Sequence, residues 1–271
     1  METADYGGIV IIGDGRVGGA LAELHARVLA PAHGPVTLLG RHDRQHEALA
    51  RGGAAPILVA VRNDDLDGLL TSVPASRRAD LVLVQNGMLR PWLASRELEV
   101  TRGLLFFAVP RKGARPEPGG RSPLHGRHAG LVAGWLSALG LPAEEVPRRA
   151  FAELELEKLI WNSAFGLLCE RFEAAVGVIV ERERETLAAL ARELMIVGRL
   201  GLSLPPAGER ERAALVESLC SYSRSIPDYR GAVKEWRWRN GWFVDEARQR
   251  SIATPVHARL LAETGHPAGG A

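Results

Sequence analysis

The stretch GGIVIIGDGRVGGALAELHARVLA, residues 7–30, decides the fold of this chain. Residues 9–12 form a short, continuous apolar run, which is typical of a strand that is buried on both faces. From Arg16 onward, apolar residues recur at helical spacing. Because the sequence Gly-Asp-Gly-Arg-Val-Gly, residues 13–18, separates these segments, the stretch predicts a strand, a glycine-rich turn and a helix.

The glycine-rich turn has the GxGxxG pattern of a dinucleotide-binding site. Gly13 permits the tight turn, Gly15 lets a pyrophosphate approach the backbone, and Gly18 lets the helix pack closely on the strand. The free N–H groups at the start of the helix then face the anion. We therefore predict a dinucleotide site rather than a merely glycine-rich turn. Its predicted residues are Gly13, Asp14, Gly15, Arg16, Val17 and Gly18.

Further apolar runs alternate with helical patterns through the first half of the chain. This alternation predicts an α/β fold with a Rossmann-type, doubly wound parallel sheet. A helix is predicted from Arg44 to Arg51 and another from Arg127 to Leu139. The predicted strands after the first are residues 35–39, 56–61, 80–84 and 104–109, with one more at the sheet edge at 122–126.

The end of the second predicted strand bears on the choice of cofactor. An NAD site usually has an acid here, and an NADP site has an arginine for the 2'-phosphate. Gly40 is followed by Arg41, which favours NADP(H), with His42 and Arg44 as possible helpers. Two alternatives stay open at this point. Arg41 could be a solvated loop residue, and Asp43 is near enough to leave NAD possible.

Polar residues follow the third and fourth predicted strands, at the sheet edge where ligands bind in open α/β folds. Arg62 follows the third strand, and Asn86 follows the fourth within Gln-Asn-Gly-Met, residues 85–88. Asn86 could bond a substrate or the nicotinamide ribose. Because Asn-Gly is also a common turn pair, the residues alone do not separate these two interpretations.

The second half of the chain shows only helical patterns. The prolines near Pro147 predict a domain boundary there. We therefore predict a cofactor-binding domain at residues 1–147 and an all-α substrate domain at residues 148–271. The helix N-capped by Thr254, with Pro255 at its first position, is predicted to be the last.

A lysine and an amide share one face of the first helix in this half. Lys158 and Asn162 are four residues apart, so both point to the same side. A lysine beside an amide suits a carbonyl reductase, because the lysine can protonate the nascent alkoxide. The competing interpretation is a surface lysine that pairs with Glu155 or Glu157.

Composition excludes several classes of function. With 34 basic and 32 acidic residues the chain lacks the broad positive field of a nucleic-acid-binding protein. No apolar run approaches the roughly 20 residues of a membrane span. Cys169 and Cys220 stand alone, as expected of buried thiols in a reducing compartment, so we predict a cytoplasmic protein. The eight histidines lack metal-ligand spacing, and no metal is predicted.

The order of several motifs resembles the ketopantoate reductase family. The resemblance covers most of the chain and implies an NADPH-dependent 2-dehydropantoate 2-reductase, with a Rossmann domain followed by a helical domain. It also allows a homodimer that acts on a small 2-oxo acid. The motifs that carry it are GxGxxG at 13–18, QNGM at 85–88, EKLIWN at 157–162, KEWRWRNGWF at 234–243 and IATP at 252–255.

The resemblance implies a set of site residues. Lys158 matches the general acid of the family, and Glu235 matches its substrate-binding glutamate. Arg62 stands where the family usually has a lysine. Ser225 is an alternative to Ser223, because the loop that follows is shifted by one residue. The residues that position the substrate are then Asn86, Asn162 and Ser223.

Two departures from the family pattern bear on the substrate. Gly166 and Val176 stand where the family commonly has asparagines. Their loss implies a different 2-oxo acid, larger or more apolar, since a site that lacks polar partners selects differently. The same departures motivate an alternative, a non-catalytic NADP(H)-binding sensor or scaffold of the same fold.

The segment KEWRWRNGWF, residues 234–243, is predicted to form one amphipathic helix. Its tryptophans are then packing residues, and its arginines are either solvated or paired with nearby acids. Glu235 is predicted to be the partner of Lys158 across the interdomain cleft. The bulky tryptophans are a candidate source of an unusual substrate preference.

Overall fold

The computed structural model describes residue 6 and residues 8–43, 45–51 and 53–267. Arg44, a predicted helper of the cofactor site, lies outside these residues. The chain divides into two compact units, Met1–Phe151 and Ala152–Ala271. The predicted boundary after residue 147 lies just before the long first helix of the second half, whose first turn falls within the first unit.

The first unit is built on a seven-stranded sheet in the order β2-β1-β3-β4-β5-β8-β9. The strands from β2 to β5 are parallel, whereas β8 is antiparallel to β5 and β9 is parallel to β8. A separate antiparallel pair joins β6 to β7. The strands are β1 (Val10–Ile12), β2 (Thr37–Leu39), β3 (Ile57–Val59), β4 (Leu81–Leu83), β5 (Thr101–Gly103), β6 (Phe107–Ala108), β7 (Glu117–Pro118), β8 (Ser122–His125) and β9 (Ala143–Glu145).

The predicted Rossmann-type α/β fold is confirmed, with differences at one side of the sheet. The fifth strand was predicted at residues 104–109, but β5 ends at Gly103. The apolar run that follows contributes Phe107 and Ala108 to the small two-stranded sheet instead. The predicted edge strand is β8, which lies inside the sheet because β9 covers its outer side.

Helices and apolar side chains surround this sheet. Strands β1, β3 and β4 are fully buried, as their continuous apolar runs predict. One core cluster combines these strands with Leu21 and Trp135, and the Trp135 indole donates to His25 Nδ1 at 3.0 Å. The helices are α1 (Arg16–Val28), α2 (Ala30–His33), α3 (Gln45–Arg51), α4 (Leu66–Ser72), α5 (Arg90–Ala94) and α6 (Ala129–Ala138).

The second unit is helical, and its described residues contain no strand. Its last helix begins at Pro255 as predicted, and the Glu193 carboxylate accepts the N–H groups of Val256 and His257 at 2.9 Å. None of the helices formed by the described residues is long and apolar enough to cross a membrane. The helices are α7 (Arg148–Phe172), α8 (Val176–Arg182), α9 (Arg184–Gly201), α10 (Glu209–Ser225), α11 (Asn240–Gln249) and α12 (Pro255–Glu263).

Candidate active site

The glycine-rich turn between β1 and α1 is shaped by backbone contacts at two of its three glycines. Gly13 has a φ of +108°, and a Cβ there would lie 2.7 Å from the Ala60 carbonyl oxygen. A Cβ on Gly18 would lie 1.9 Å from the Gly13 carbonyl oxygen. Both positions therefore require glycine for the fold itself.

Gly15 differs from these two glycines because no atom lies within 4 Å of the place where its Cβ would be. It is exposed and immediately precedes α1, whose first turn contains no acidic residue. Open space above a helix N-terminus is what a dinucleotide pyrophosphate needs. The turn fits such a cofactor, with Gly15 as the point of close approach.

Two other predicted residues of this turn, Asp14 and Arg16, face a neighbouring loop. Arg16 Nη1 donates to the Pro110 carbonyl at 3.4 Å, and the Asp14 carboxylate lies 3.7 Å from Lys112 Nζ. These contacts are on exposed side chains, so they contribute little to stability. They place the segment 110–112 beside the glycine-rich turn.

At the end of β2, Arg41 and two carboxylates surround Gly40. Arg41 is 78% exposed and lies 3.8 Å from Asp65 Oδ2, so its guanidinium is accessible to a phosphate. The Gly40 N–H donates to Asp43 Oδ2 at 2.6 Å, and a Cβ on Gly40 would lie 3.3 Å from Asp14 Cγ. The accessible arginine favours NADPH, whereas the two nearby carboxylates are of the type that binds the NADH ribose.

The loop after β4 is held to β3 by side-chain amides. Gln85 Nε2 donates to the carbonyls of Val59 at 2.9 Å and Val61 at 3.1 Å. Buried Asn63 donates to the Asn86 carbonyl at 2.8 Å. Asn86 itself is half-buried, and Gly87 after it has a φ of +95°.

This arrangement favours turn geometry for the Asn-Gly pair, and it leaves the predicted ligand contact of Asn86 as a proposal. Arg62, the other predicted residue at this edge, is exposed and directly precedes the 3-10 turn Asn63–Asp65. The side chain of Asn63 fixes the loop, a role that the local sequence pattern does not reveal.

Lys158 and Asn162 lie on the middle turns of α7, as predicted. Asn162 Nδ2 donates to the Lys158 carbonyl at 2.9 Å, so the amide braces the helix turn and not the ammonium group. Lys158 is half-buried. Burial lowers the pKa of Lys158 from 10.5 to about 7, and the positive charge of Arg239 contributes to the same shift. A lysine with this pKa exchanges its proton near neutral pH.

The segment 234–243 does not form the single helix that its pattern predicted. Trp236–Trp238 is a 3-10 turn, and α11 begins only at Asn240. Glu235 has a left-handed backbone, with φ 51° and ψ 49°, which is uncommon for any residue except glycine. Packing causes the break, since Trp236 closes on Gly241, where a Cβ would lie 2.6 Å from the indole nitrogen.

Glu235 pairs with Arg239, and its predicted pairing with Lys158 stays a prediction. Arg239 Nη2 donates to Glu235 Oε2 at 2.5 Å, and both residues lie in the helical unit together with Lys158. Only 12% of the Arg239 side chain is exposed. Arg239 is therefore a partner of a nearby acid, one of the two predicted interpretations of the arginines in this segment. Its place beside Lys158 was missed, because the sequence pattern put it on a continuous helix.

The tryptophans of this segment serve as packing residues, as predicted. Trp238 and Trp242 are buried, and Trp242 packs against Gly201, where a Cβ would lie 2.9 Å from the ring. Trp236 stacks on His266 with ring centroids 6.0 Å apart.

Ser223 is enclosed by protein groups. It is fully buried, its hydroxyl donates to the Leu219 carbonyl at 2.9 Å, and it accepts from the Trp161 indole at 2.9 Å. This geometry argues against the predicted contact with a substrate, because the single hydroxyl proton is already used. The alternative, Ser225, is exposed and donates to the Tyr222 carbonyl at 2.7 Å.

An aromatic cluster surrounds Trp161, which lies on α7 between Lys158 and Asn162 in sequence. The ring centroids of Phe165, Tyr222 and Tyr229 lie 5.4, 5.1 and 5.8 Å from that of Trp161. Tyr229 is 46% exposed, whereas Phe165 is buried. The cluster is an apolar wall beside the candidate lysine.

Residues 227–233, here called the covering segment, contact the chain at both departures, Gly166 and Val176. A Cβ on Gly166 would lie 2.8 Å from the Ala232 carbonyl oxygen. Val176 is fully buried, and its N–H donates to the Tyr229 carbonyl at 2.9 Å. The Val233 N–H donates to Glu170 Oε1 at 2.8 Å. Backbone of the covering segment thus fills the space that a polar side chain at position 166 would need.

Among the residues that the structure describes, no group of three or more His, Cys, Asp or Glu side chains is placed to hold a metal ion. Within the helical unit, the candidate reactive groups are Lys158 and the pair formed by Arg239 and Glu235.

Comparison with known proteins supports the resemblance first seen in the motifs. Residues 150–266 match the family model described as ketopantoate reductase PanE/ApbA C terminal. Because this match covers most of the helical unit, the predicted resemblance is confirmed. No curated protein matches the sequence of this chain.

Several solved structures share the fold over both units. A 2-dehydropantoate 2-reductase from Methylococcus capsulatus is 21% identical with a TM-score of 0.71, and the match covers 94% of each chain. D-mandelate dehydrogenase in complex with NADH is 13% identical with a TM-score of 0.68, covering 95% of this chain and 97% of that one. The dimeric ketopantoate reductase from Staphylococcus aureus is 18% identical with a TM-score of 0.67, covering 95% and 98%.

Proposed function

Because its helical domain belongs to the ketopantoate reductase family, we propose that this chain is an NADPH-dependent reductase of 2-oxo acids. The product is the corresponding 2-hydroxy acid, either pantoate from ketopantoate or a related compound. The observation that carries the proposal is Lys158, a half-buried lysine with a pKa of about 7 on a helix of the matched domain.

Each residue has a separate task in this proposal. NADPH, when bound, supplies the hydride that adds to the keto carbon. Lys158 donates its Nζ proton to the oxygen that becomes the hydroxyl, so no alkoxide is released. Asn162 braces the helix turn that presents Lys158, through its hydrogen bond to the Lys158 carbonyl. Glu235 remains in the site as the charge partner of Arg239.

The cofactor is assigned from the turn and from the end of β2. Gly13–Gly18 and the N-terminus of α1 would hold the pyrophosphate, and the exposed Arg41 would bind the 2'-phosphate. Arg62 and Asn86 are proposed to complete the cofactor site, since both lie at the carboxyl edge of the parallel strands.

The filled space at Gly166 and the burial of Val176 bear on the substrate. With the covering segment in place, the site lacks the two polar residues that the family pattern implies, while the aromatic cluster around Trp161 supplies apolar surface. We therefore expect larger or more apolar 2-oxo acids to be reduced at least as well as ketopantoate. A homodimer is part of the proposal, because one enzyme with this fold is dimeric.

The decisive experiment is a spectrophotometric assay of NADPH oxidation with ketopantoate beside a panel of alkyl and aryl 2-oxo acids. Saturable oxidation with at least one panel member is the expected result. The same assay with NADH tests the cofactor. Arg41→Ala should lower the ratio of kcat/KM for NADPH to kcat/KM for NADH about tenfold, because one exposed charge-assisted contact is lost. Equal use of NADH by the unmodified protein would contradict the assignment of Arg41.

A second candidate is a non-catalytic protein that senses NADP(H) or scaffolds a partner. The observation in its favour is the covering segment, which removes space for substrate anchors at Gly166. Tight NADPH binding without oxidation by any member of the panel would support this candidate over the reductase.

The rate of reduction should depend on pH through Lys158. Its pKa is lowered from 10.5 to about 7, so the protonated acid predominates below pH 7 and is lost above it. We expect kcat for reduction to be flat at low pH and to fall about tenfold per pH unit above about 7. A profile that stays flat to pH 9 would show that Lys158 is not the proton donor. The exposed Lys234 provides the matched control, since Lys234→Ala should leave the profile unchanged.

A further inference from the structure

We propose that Arg239 binds the carboxylate of the substrate and so makes the site selective for anionic 2-oxo compounds. Arg239 would then be a specificity-determining residue in addition to the proton donor. This inference rests on the proposed function, because it takes a 2-oxo acid as the ligand.

The backbone around Arg239 is fixed against α7. The next residue, Asn240, is buried, and its Nδ2 donates to the Ser163 carbonyl on α7 at 3.4 Å. Asn240 Oδ1 lies 2.9 Å from His257 Nε2. Burial lowers the pKa of His257 to about 4, so this imidazole is neutral at physiological pH and donates to the amide oxygen. Arg239 is thereby held next to the turns of α7 that carry Lys158 and Asn162.

The Arg239 guanidinium uses little of its donor capacity on described residues. A guanidinium has five N–H donors in a planar fork that matches a carboxylate. Its described hydrogen bond is the one to Glu235, and Nε is buried with no hydrogen-bond partner among the described residues. An unsatisfied buried donor is costly, so a second anion at this guanidinium would be favourable.

The charges of the site also favour a second anion beside Arg239. Arg239 is close enough to Lys158 to disfavour the positive charge of the lysine, and one carboxylate, that of Glu235, pairs with the arginine. A substrate carboxylate beside Arg239 adds the second negative charge. It also leaves the keto group, one bond away, within the region of Lys158, as protonation of that oxygen requires.

Arg237 shows what an arginine of the same segment does when it has only a surface role. It is exposed and lies over the Trp238 ring, with Cζ 5.1 Å from the centroid. Arg239 differs from Arg237, because only 12% of its side chain is exposed. The two residues form a matched pair for mutation, because they have the same side chain and are two positions apart.

The test measures binding of oxamate, an unreactive anionic mimic of a 2-oxo acid, to the NADPH-saturated protein by calorimetry. Arg239→Met should weaken oxamate binding about 100-fold, the loss expected for a charge-assisted hydrogen-bonded pair. Arg237→Met should bind oxamate like the unmodified protein. The double variant Glu235→Gln with Arg239→Met removes both charges without leaving the glutamate unpaired, and it should be as weak as Arg239→Met.

A kinetic comparison gives the second readout. The unmodified protein should reduce 2-oxo-4-methylpentanoate far better than its methyl ester, and Arg239→Met should lose this preference by lowering kcat/KM for the acid alone. Melting temperature and NADPH affinity are measured on every variant, so that misfolding is recognised. Arg239→Lys, which keeps the charge but not the fork, should retain part of the preference.

Several outcomes would overturn the inference. It fails if Arg239→Met binds oxamate normally, or if this variant lowers kcat/KM for the acid and for the ester equally. It also fails if the double variant binds oxamate like the unmodified protein. Equal reduction of acid and ester by the unmodified protein would also refute it while the reductase function stands. If the unmodified protein reduces no panel member, the proposed function fails. Oxamate binding that still depends on Arg239 would then uphold the anion site, and no oxamate binding would refute it.

Discussion

Replacing Lys158 with alanine should lower kcat for 2-oxo acid reduction by a factor of about 10² to 10⁴, the usual contribution of a general acid. The loss should appear in kcat, because the proton is needed only as the carbonyl oxygen gains charge. NADPH binding should not change, since the glycine-rich turn and Lys158 belong to different units. Stopped-flow single turnovers with saturating NADPH separate the chemical step from product release.

The matched control is Lys234→Ala, which removes an exposed lysine from the segment that contains Glu235. It should leave kcat within about twofold, as expected of a surface substitution. Lys158→Arg keeps a positive charge but does not release its proton near neutral pH, so it should be nearly as inactive as Lys158→Ala. Full activity in Lys158→Ala would refute the assignment of the proton donor.

Substitution of Gly15 should abolish cofactor binding without unfolding the protein. The space around its missing Cβ is empty to 4 Å, so Gly15→Val meets no protein atom at that carbon. The added side chain stands where the pyrophosphate must approach the backbone. We expect NADPH affinity to fall about 100-fold or more, with the melting temperature of the cofactor-free protein within a few degrees of the unmodified value.

Gly18→Ala, at another glycine of the same motif, should destabilise the fold, in contrast to Gly15→Val. Its Cβ would lie 1.9 Å from a backbone oxygen, so the turn or the helix must shift. We expect a loss of about 1–3 kcal/mol in the free energy of unfolding, measured by chemical denaturation. If Gly15→Val were the less stable of the two variants, the distinction between a ligand-facing and a fold-determining glycine would be wrong.

The glycine-rich turn was predictable because its evidence is local. The strand, the turn and the helix follow one another within residues 9–28, and each has its own sequence pattern. The fifth strand was placed too late, since the longest apolar run, residues 104–109, lies just beyond β5. Pairing of Arg102 and Gly103 with β8 decides the strand, and a pairing partner is not visible in local hydrophobicity.

The helical half was predictable in class but not in the arrangement of its site. The spacing of Lys158 and Asn162 on α7 follows from helical periodicity alone. The left-handed Glu235 does not, because the contact of Trp236 with Gly241 interrupts a pattern that otherwise favours one helix. Tertiary packing overrides local propensity here, and it moves Arg239 next to the lysine.

Ser223 shows the same limit for hydrogen bonds. Its position twelve residues before Glu235 agrees with the family pattern, yet its hydroxyl is satisfied by Leu219 and Trp161. The competing partner, an indole on α7, lies 62 residues away in sequence. Sequence spacing identifies which residues can reach a site, but it does not reveal the partners that occupy them first.

The covering segment also restricts which side chains this protein can accept at position 166. A Cβ on Gly166 would lie 2.8 Å from the Ala232 carbonyl oxygen, and a Cβ on Gly231 would lie 2.8 Å from the Phe165 carbonyl oxygen. Each of the two positions therefore requires glycine as long as the other chain segment stays in place. An asparagine side chain introduced at position 166 would meet this backbone before it could reach a ligand. A polar anchor at position 166 therefore requires the covering segment to move first, so the proposed substrate preference depends on the place of this segment.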